Sequence, residues 1–365
     1  SGMRDDDTYR YVVAGGSSGY TKNLQYEPTL SEGAYTWKIR ARDNAGNNSA
    51  YTSEYALYID RTDPIDPTPS SSSHTVGVWS NDATVDIEIA GASDPVSNGA
   101  SSGVDGFDTA WDQSATWAAT EVKDQEGAWT DGTFTATSDG YWYFHIATVD
   151  NAGNWTGTKH LGPFQIDTNP PAVTSVVVDT DPIYEGDLIQ QVTVTFDEAM
   201  DTGIAPTLVF NPDVGSTLTL NAGQSGWTDN DTYVAKYDVA DASADIDSVT
   251  IDVTGAQDPA GNGQEDYTPV HEFEIDTLNP TVGIVVSDQA IYDGDVGVDA
   301  FTVTATYSEA MDPATIPTLT FTPNPATTLT NRSGVWSGGN TIYTWTTDIE
   351  DAGVEINDID VTVFG

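Results

Sequence analysis

The sequence predicts an all-β protein: a tandem array of small β-sandwich domains joined end to end into an elongated rod. Three observations predict it. One motif returns at a nearly constant period along the 365 residues. Short stretches alternate apolar and polar side chains. The composition is rich in Gly, Thr, Asp, Val and Tyr, while Leu, Lys and Met are sparse, which favours strands and turns over helices.

The repeat is the strongest of these. GAYTWKIRARDNAGN, from Gly33 to Asn47, returns as GYWYFHIATVDNAGN, from Gly140 to Asn154, and its closing turn returns as DPAGN, from Asp258 to Asn262. The motif aspartates Asp43, Asp150 and Asp258 stand 107 and 108 residues apart. Each motif is followed by a strand and a proline-bearing joint: YALYIDRTDP, FQIDTNPP and FEIDTLNP, with joint aspartates Asp60, Asp167 and Asp276. A second set of matches ties the last two units together. IYEGD at Ile183 pairs with IYDGD at Ile291, EAMD at Glu198 with EAMD at Glu309, and PTLVF at Pro206 with PTLTF at Pro317. The first two units instead share an early part, SGMRDDDTYRYVV from Ser1 and SGVDGFDTAWDQ from Ser102. Two subtypes are therefore expected, dividing the chain into 1–62, 63–169, 170–279 and 280–365. Aligning the motifs leaves the first unit short of its N-terminal strands and the fourth short of its last ones. An excerpt of a longer array is expected, with a further DxAGN strand following Gly365.

Alternation supplies the strands. Tyr35, Trp37, Ile39 and Ala41 share one face in the first unit, and Trp142, Phe144 and Ile146 hold the equivalent positions in the second. VTVTF from Val192, TLTL from Thr217 and VTIDV from Val249 alternate likewise, each bounded by turn residues. Roughly seven short strands per ~108 residues is the pattern of an immunoglobulin or fibronectin type III-like sandwich, with closed barrels as the alternative. Pro64, Pro67, Pro170, Pro171 and Pro280 stiffen short joints, which suits a semi-rigid rod.

Charge restricts partners and suggests a ligand. Acidic residues number 57 against 11 basic ones, a net charge of −46. Such a surface repels nucleic acid and anionic membranes. Self-repulsion of this size is relieved by divalent cations or salt, and Ca²⁺ is the natural candidate because it takes oxygen ligands in loose geometry. A halophilic or marine solvated surface is the alternative source of the charge. The chain has no cysteine, which excludes disulfides, thiolate zinc and cysteine nucleophiles. No run of about 18 apolar residues offers a membrane span, and a targeting segment is expected outside these residues.

The candidate ligands cluster at motifs. Asp43, Asp150 and Asp258 of the DxAGN turns are expected at the end of each unit that meets the next joint. Asp60, Asp63, Asp167, Asn169, Asp276 and Asn279 belong to the joints themselves. Glu185, Asp187, Asp293 and Asp295 of the EGD and DGD loops, with Glu198, Asp201, Glu309 and Asp312 of the EAMD loops, could complete the shell. In the second unit Asp94, Asp105 and Asp108 stand in a Gly- and Ser-rich loop. None follows EF-hand spacing. A purely structural turn is the competing reading of DxAGN.

DNAGN followed by IDTNPP or IDRTDP resembles the bacterial Ig-like repeats of giant secreted adhesins. VTVTFDEAMD and ATYSEAMDPATIPTLTF resemble the Ig-like domains of S-layer and related surface proteins. The resemblance implies β-sandwich rods, export, extracellular display at the cell surface and, in many relatives, calcium at interdomain joints. Arg4 stands where the second unit has Asp105, a departure that weakens an early-loop site in the first unit.

No enzyme is expected. His74, His145, His160 and His271 share no metal-type spacing, and alternation turns His145 away from the core. Ser70 to Ser73 lack a nucleophile-elbow context. Trp79, Trp111, Trp117 and Trp129 admit either core packing or a sugar-binding face. The sequence therefore supports a calcium-stiffened extender that contacts its neighbouring Ig-like domains, a lattice or filament of like subunits, or a glycan-binding module at 63–169.

Overall fold

The computed structural model describes residues 8–17, 21 and 25–365. Arg4, set against Asp105 above, lies outside them. The described chain is all-β, with one short 3₁₀ turn at Asp293–Asp295. The first repeat contributes β1 (Tyr9–Val13), β2 (Gly16–Ser17), β3 (Gly33–Ala41) and β4 (Tyr55–Ile59), in one sheet ordered β2-β1-β3-β4.

The second repeat contributes β5 (Thr68–Ser71), β6 (Trp79–Ser80), β7 (Thr84–Ala90), β8 (Val104–Asp112), β9 (Gln125–Glu126), β10 (Asp131–Thr135), β11 (Gly140–Asp150) and β12 (Lys159–Ile166). They form two sheets, β10-β7-β5 and β6-β12-β11-β8-β9. Strict alternation in TVDIEIA turns Val85, Ile87 and Ile89 inward while the residues between them face water. They meet Phe107, Trp142, Phe144, Ile146, Phe164 and Ile166 of the other sheet in one apolar cluster.

The third repeat contributes β13 (Val173–Val178), β14 (Ile183–Tyr184), β15 (Ile189–Phe196), β16 (Thr207–Asn211), β17 (Leu218–Leu220), β18 (Gly226–Trp227), β19 (Thr232–Val239), β20 (Asp245–Thr254) and β21 (His271–Asp276). One sheet runs β13-β15-β19-β17, with β18 also on β19; the other runs β14-β21-β20-β16. Their shared cluster includes Val192, Val194, Ile251, Phe273 and Ile275. Full burial of each such side chain stabilises by about 1.5–3 kcal/mol.

The fourth repeat contributes β22 (Val282–Val286), β23 (Gly297–Tyr307), β24 (Thr318–Thr322), β25 (Leu329–Ser337), β26 (Ile342–Ile349) and β27 (Asp360–Phe364). Its sheets are β22-β23-β26-β25 and the two-stranded β24-β27. The expected strands at Val192–Phe196 and Val249–Val253 are present, and the one expected from Thr217 to Leu220 begins one residue later, at Leu218.

The structure bears on two sequence readings in the second repeat. Trp111 stacks on Trp142 at 5.4 Å, and Trp129 tilts against Phe107 at 6.1 Å, so both pack against the core. His145 does leave the core, as alternation requires, yet it is fully buried. Trp117 lies parallel over its ring at 5.8 Å, His160 Nδ1 meets its Nδ1 at 2.5 Å, and Asp112 Oδ1 stands 3.3 Å from its Nε2. Burial pushes the imidazole below its ordinary range despite the carboxylate.

Candidate metal centre

Each DxAGN motif is a turn built on its aspartate. Asp150 Oδ1 accepts from the amides of Ala152 and Asn154 at 2.8 and 2.9 Å, and its Oδ2 accepts from Asn154 Nδ2 at 2.7 Å. Asp258 is braced the same way by Asn262, at 2.8 and 2.7 Å. Glycine is required because Gly46, Gly153 and Gly261 take φ of 91, 88 and 92°, where a side chain is strained. In the first repeat Asn47 donates to Asp43, first through its amide and then through its side chain, holding that carboxyl below its usual range.

The turn faces the joint that precedes its repeat, contrary to the expectation that it meets the following one. The reason is strand polarity. β11 and β12 are antiparallel, with Gly140 paired to Ile166, so the turn after Asp150 and the exit of β12 into Asp167 lie at opposite poles. Asp150 therefore meets Asp60 of the incoming joint, and Asp258 meets Asp167. The motif asparagines reach across: Asn262 Nδ2 donates to Asp167 O at 2.9 Å, and Asn154 Nδ2 approaches Asp60 O and Thr62 O at 3.4 and 3.5 Å.

Two groups of three carboxylates result. Asp60, Asp94 and Asp150 form one, Asp167, Glu198 and Asp258 the other, and in each the three candidate ligand oxygens lie within 4.8 Å of one another. In both, one residue comes from the end of a repeat and two from the next. Asp150 and Asp258 are only 1% and 2% exposed. Among the described residues no ion pair involves any of the six. Two ionised carboxylates about 4–5 Å apart repel by roughly 3–4 kcal/mol at an effective dielectric near 20.

The electrostatics differ between the joints. Burial and then the charges of Asp167, Asp258, Asp197 and Asp139 push Glu198 from 4.5 up to about 7. At Asp60 burial pulls upward, but hydrogen bonds from Ser102 and Thr62 outweigh it and hold the carboxyl below its ordinary value. Asp94 Oδ2 accepts from Ser101 Oγ at 2.9 Å and the Gly103 amide at 2.6 Å, leaving Oδ1 sealed from solvent without a hydrogen-bond partner. Unsatisfied buried oxygen, oxygen-only donors and clustered negative charge fit a hard divalent cation, and loop-borne carboxylates suit Ca²⁺ better than the rigid octahedron of Mg²⁺.

The third joint gathers a related set. Asp245 and Asp276 pair in the β20–β21 ladder. After burial, their charges are what raise Glu309, whose Oε1 is buried without a partner.

The other expected ligands are not in these groups. Asp63 and Asn279 are exposed. Asn169 Nδ2 donates to Asp139, which also accepts from Thr168. Asp201 and Asp312 cap their own turns through the amides of Gly203 and Ala314. Asp187 and Asp295 do so through Tyr184 and Tyr292. Glu185 is exposed in the turn beyond Tyr184, which is paired in parallel with Asp276, so that loop belongs to the exit pole of its repeat. Asp293 lines a separate acidic cleft with Glu350, Asp351 and Glu355. Asp105 pairs with Lys123 at 3.0 Å, and Asp108 accepts from Thr120. Asp139 was missed by the motif reading, although its place immediately before Gly140 in the hairpin motif was a usable signal. Comparison with known proteins finds no matching family model and no matching curated protein.

Proposed function

We propose that this chain is a structural extender, a series of immunoglobulin-like β-sandwich repeats from a large exported cell-surface adhesin, locked joint by joint with Ca²⁺. The observation that carries the reading is the convergence of carboxylates from both sides of a joint, twice, around the same DxAGN turn. Without a cation the carboxylates repel and push adjoining repeats apart. With Ca²⁺ the same groups become shared ligands, and the orientation of one repeat on the next is fixed. Asp60, Asp94 and Asp150 would hold one ion, and Asp167, Glu198 and Asp258 a second; the ion supplies positive charge and bridging, and no reaction is involved. The acidity, the lack of cysteine and the resemblance of DNAGN and EAMD segments to surface-protein repeats support the same reading.

Small-angle scattering and thermal melting in Ca²⁺ and in chelator test it. The proposal expects a longer, stiffer particle and a higher melting temperature with Ca²⁺. Superimposable profiles and melts overturn it.

A further inference from the structure

The four histidines share no metal-type spacing along the chain, but the hairpin of β11 and β12 sets two of them opposite one another. His145 pairs with His160 across the ladder, 15 residues away in sequence, and the pleat carries both side chains to the face away from the core. Their rings meet edge to face, with centroids 4.7 Å apart and planes at 80°. His74 and His271 make no such pair: His74 sits between Ser73 Oγ and Asp82 O, and His271 meets Ser248 Oγ.

The partners on the far side of each ring decide what its near side presents. Asp112 Oδ1 stands 3.3 Å from His145 Nε2, so a neutral His145 carries its proton on Nε2 and leaves a lone pair on Nδ1. Thr158 Oγ1 donates to Trp117 O at 3.2 Å, which turns an oxygen lone pair toward His160 Nε2, 3.4 Å away. A neutral His160 therefore also carries its proton on Nε2 and its lone pair on Nδ1. The two Nδ1 atoms face each other at 2.5 Å. With both rings neutral, two acceptors meet there with no hydrogen between them, an arrangement that calls for an electrophile. An oxygen acceptor on the outer nitrogen is also the support that metal-bound imidazoles receive.

We propose that the Nδ1 atoms of His145 and His160 bind a divalent transition ion of the Cu²⁺ and Zn²⁺ class, in a site chemically separate from the oxygen-lined joints. Imidazole nitrogen suits these ions, whereas Ca²⁺ takes oxygen. Metal–nitrogen bonds of about 2.0–2.1 Å part the two nitrogens to about 3 Å, which the exposed His160 side chain accommodates by rotating. His145 is fully buried beneath Trp117, so its ring stays in place. Among the described residues β12 has β11 as its one strand neighbour here, because β6 joins it at Gln165 and Ile166. Water reaches the ion from that open side and completes its coordination. The ion ties β12 to β11, and through Thr158 it steadies the segment that carries Trp117.

The test uses the full chain in excess Ca²⁺, which competes for carboxylates, with one equivalent of Cu²⁺ read by electron paramagnetic resonance. Hyperfine coupling from two imidazole nitrogens is expected. His160→Ala, at an exposed position, weakens binding by about 100-fold or more and removes the two-nitrogen pattern without changing the melting of the second repeat. With Zn²⁺ on a ¹⁵N-labelled chain, the Nδ1 resonances of His145 and His160 shift while both Nε2 atoms keep their protons. A parent spectrum without two nitrogens, equal affinity in the H160A chain, or zinc shifts at Nε2 in place of Nδ1 would each overturn the proposal.

Discussion

Replacing Glu198 by Gln removes one negative charge from the second joint and nearly nothing else. Its consequences change sign with calcium. Without the ion, Glu198 is raised from 4.5 to about 7. Below about pH 4.5 it is protonated in the folded and unfolded chain alike and costs nothing. As pH rises, the unfolded chain releases its proton first, so the folded state loses stability up to about pH 7, and the loss then stays constant. At about 1.4 kcal/mol per unit the shift sets a ceiling of roughly 3 kcal/mol. Glu198 is only partly buried, and solvent screening reduces this to about 1–2 kcal/mol. E198Q is therefore expected to be more stable than the parent by that amount at pH 8 in chelator. In calcium the order reverses: losing a direct ligand costs at least the upper end of the ~10- to 100-fold typical of outer-shell partners, so where the intact site sits at 100 times its Kd and gains about 2.7 kcal/mol, the variant's site gains only about 0.4 kcal/mol. Denaturant unfolding of both proteins at pH 8, with and without calcium, reads both signs. A variant less stable than the parent in chelator, or equally stabilised by calcium, would refute the argument.

The remaining predictions concern the joints and the core. Because hydrogen bonds hold Asp60 low while Glu198 is raised, calcium at the first joint should survive to lower pH than at the second; titration calorimetry near pH 5.5 on Asp150→Asn and Asp258→Asn chains assigns the ion that remains. Asn262→Ala removes the donor that reaches Asp167 O and braces Asp258, and should cost about 1–2 kcal/mol in chelator, seen as a lower unfolding midpoint of the third repeat. Phe273→Ala should cost about 3–5 kcal/mol and lower the stability of the third repeat while leaving hydrogen exchange of Phe107 and Phe144 unchanged, since the two clusters are separate.

The period of the DxAGN turns and the alternation of the strands made the all-β class, the hairpins and four of the six clustered joint carboxylates legible. Asp60, Asp150, Asp167 and Asp258 stand at fixed places in a repeated motif, so their recurrence exposed them. Asp94 and Glu198 were harder to single out because the two subtypes deliver the third carboxylate from different segments, a Ser-rich loop in one and the EAMD turn in the other. Which pole each turn occupies depends on hairpin polarity, and a motif read along the chain placed it beside the wrong joint. Alternation likewise assigned His145 to the outer face correctly but carried no information about Trp117, whose segment returns to cover it.

Crystals grown in calcium and measured at long wavelength test the central claim most directly. The account predicts one anomalous peak among Asp60, Asp94 and Asp150 and another among Asp167, Glu198 and Asp258. Peaks confined to surface loops such as Glu185–Asp187, or none at the two joints, would contradict it.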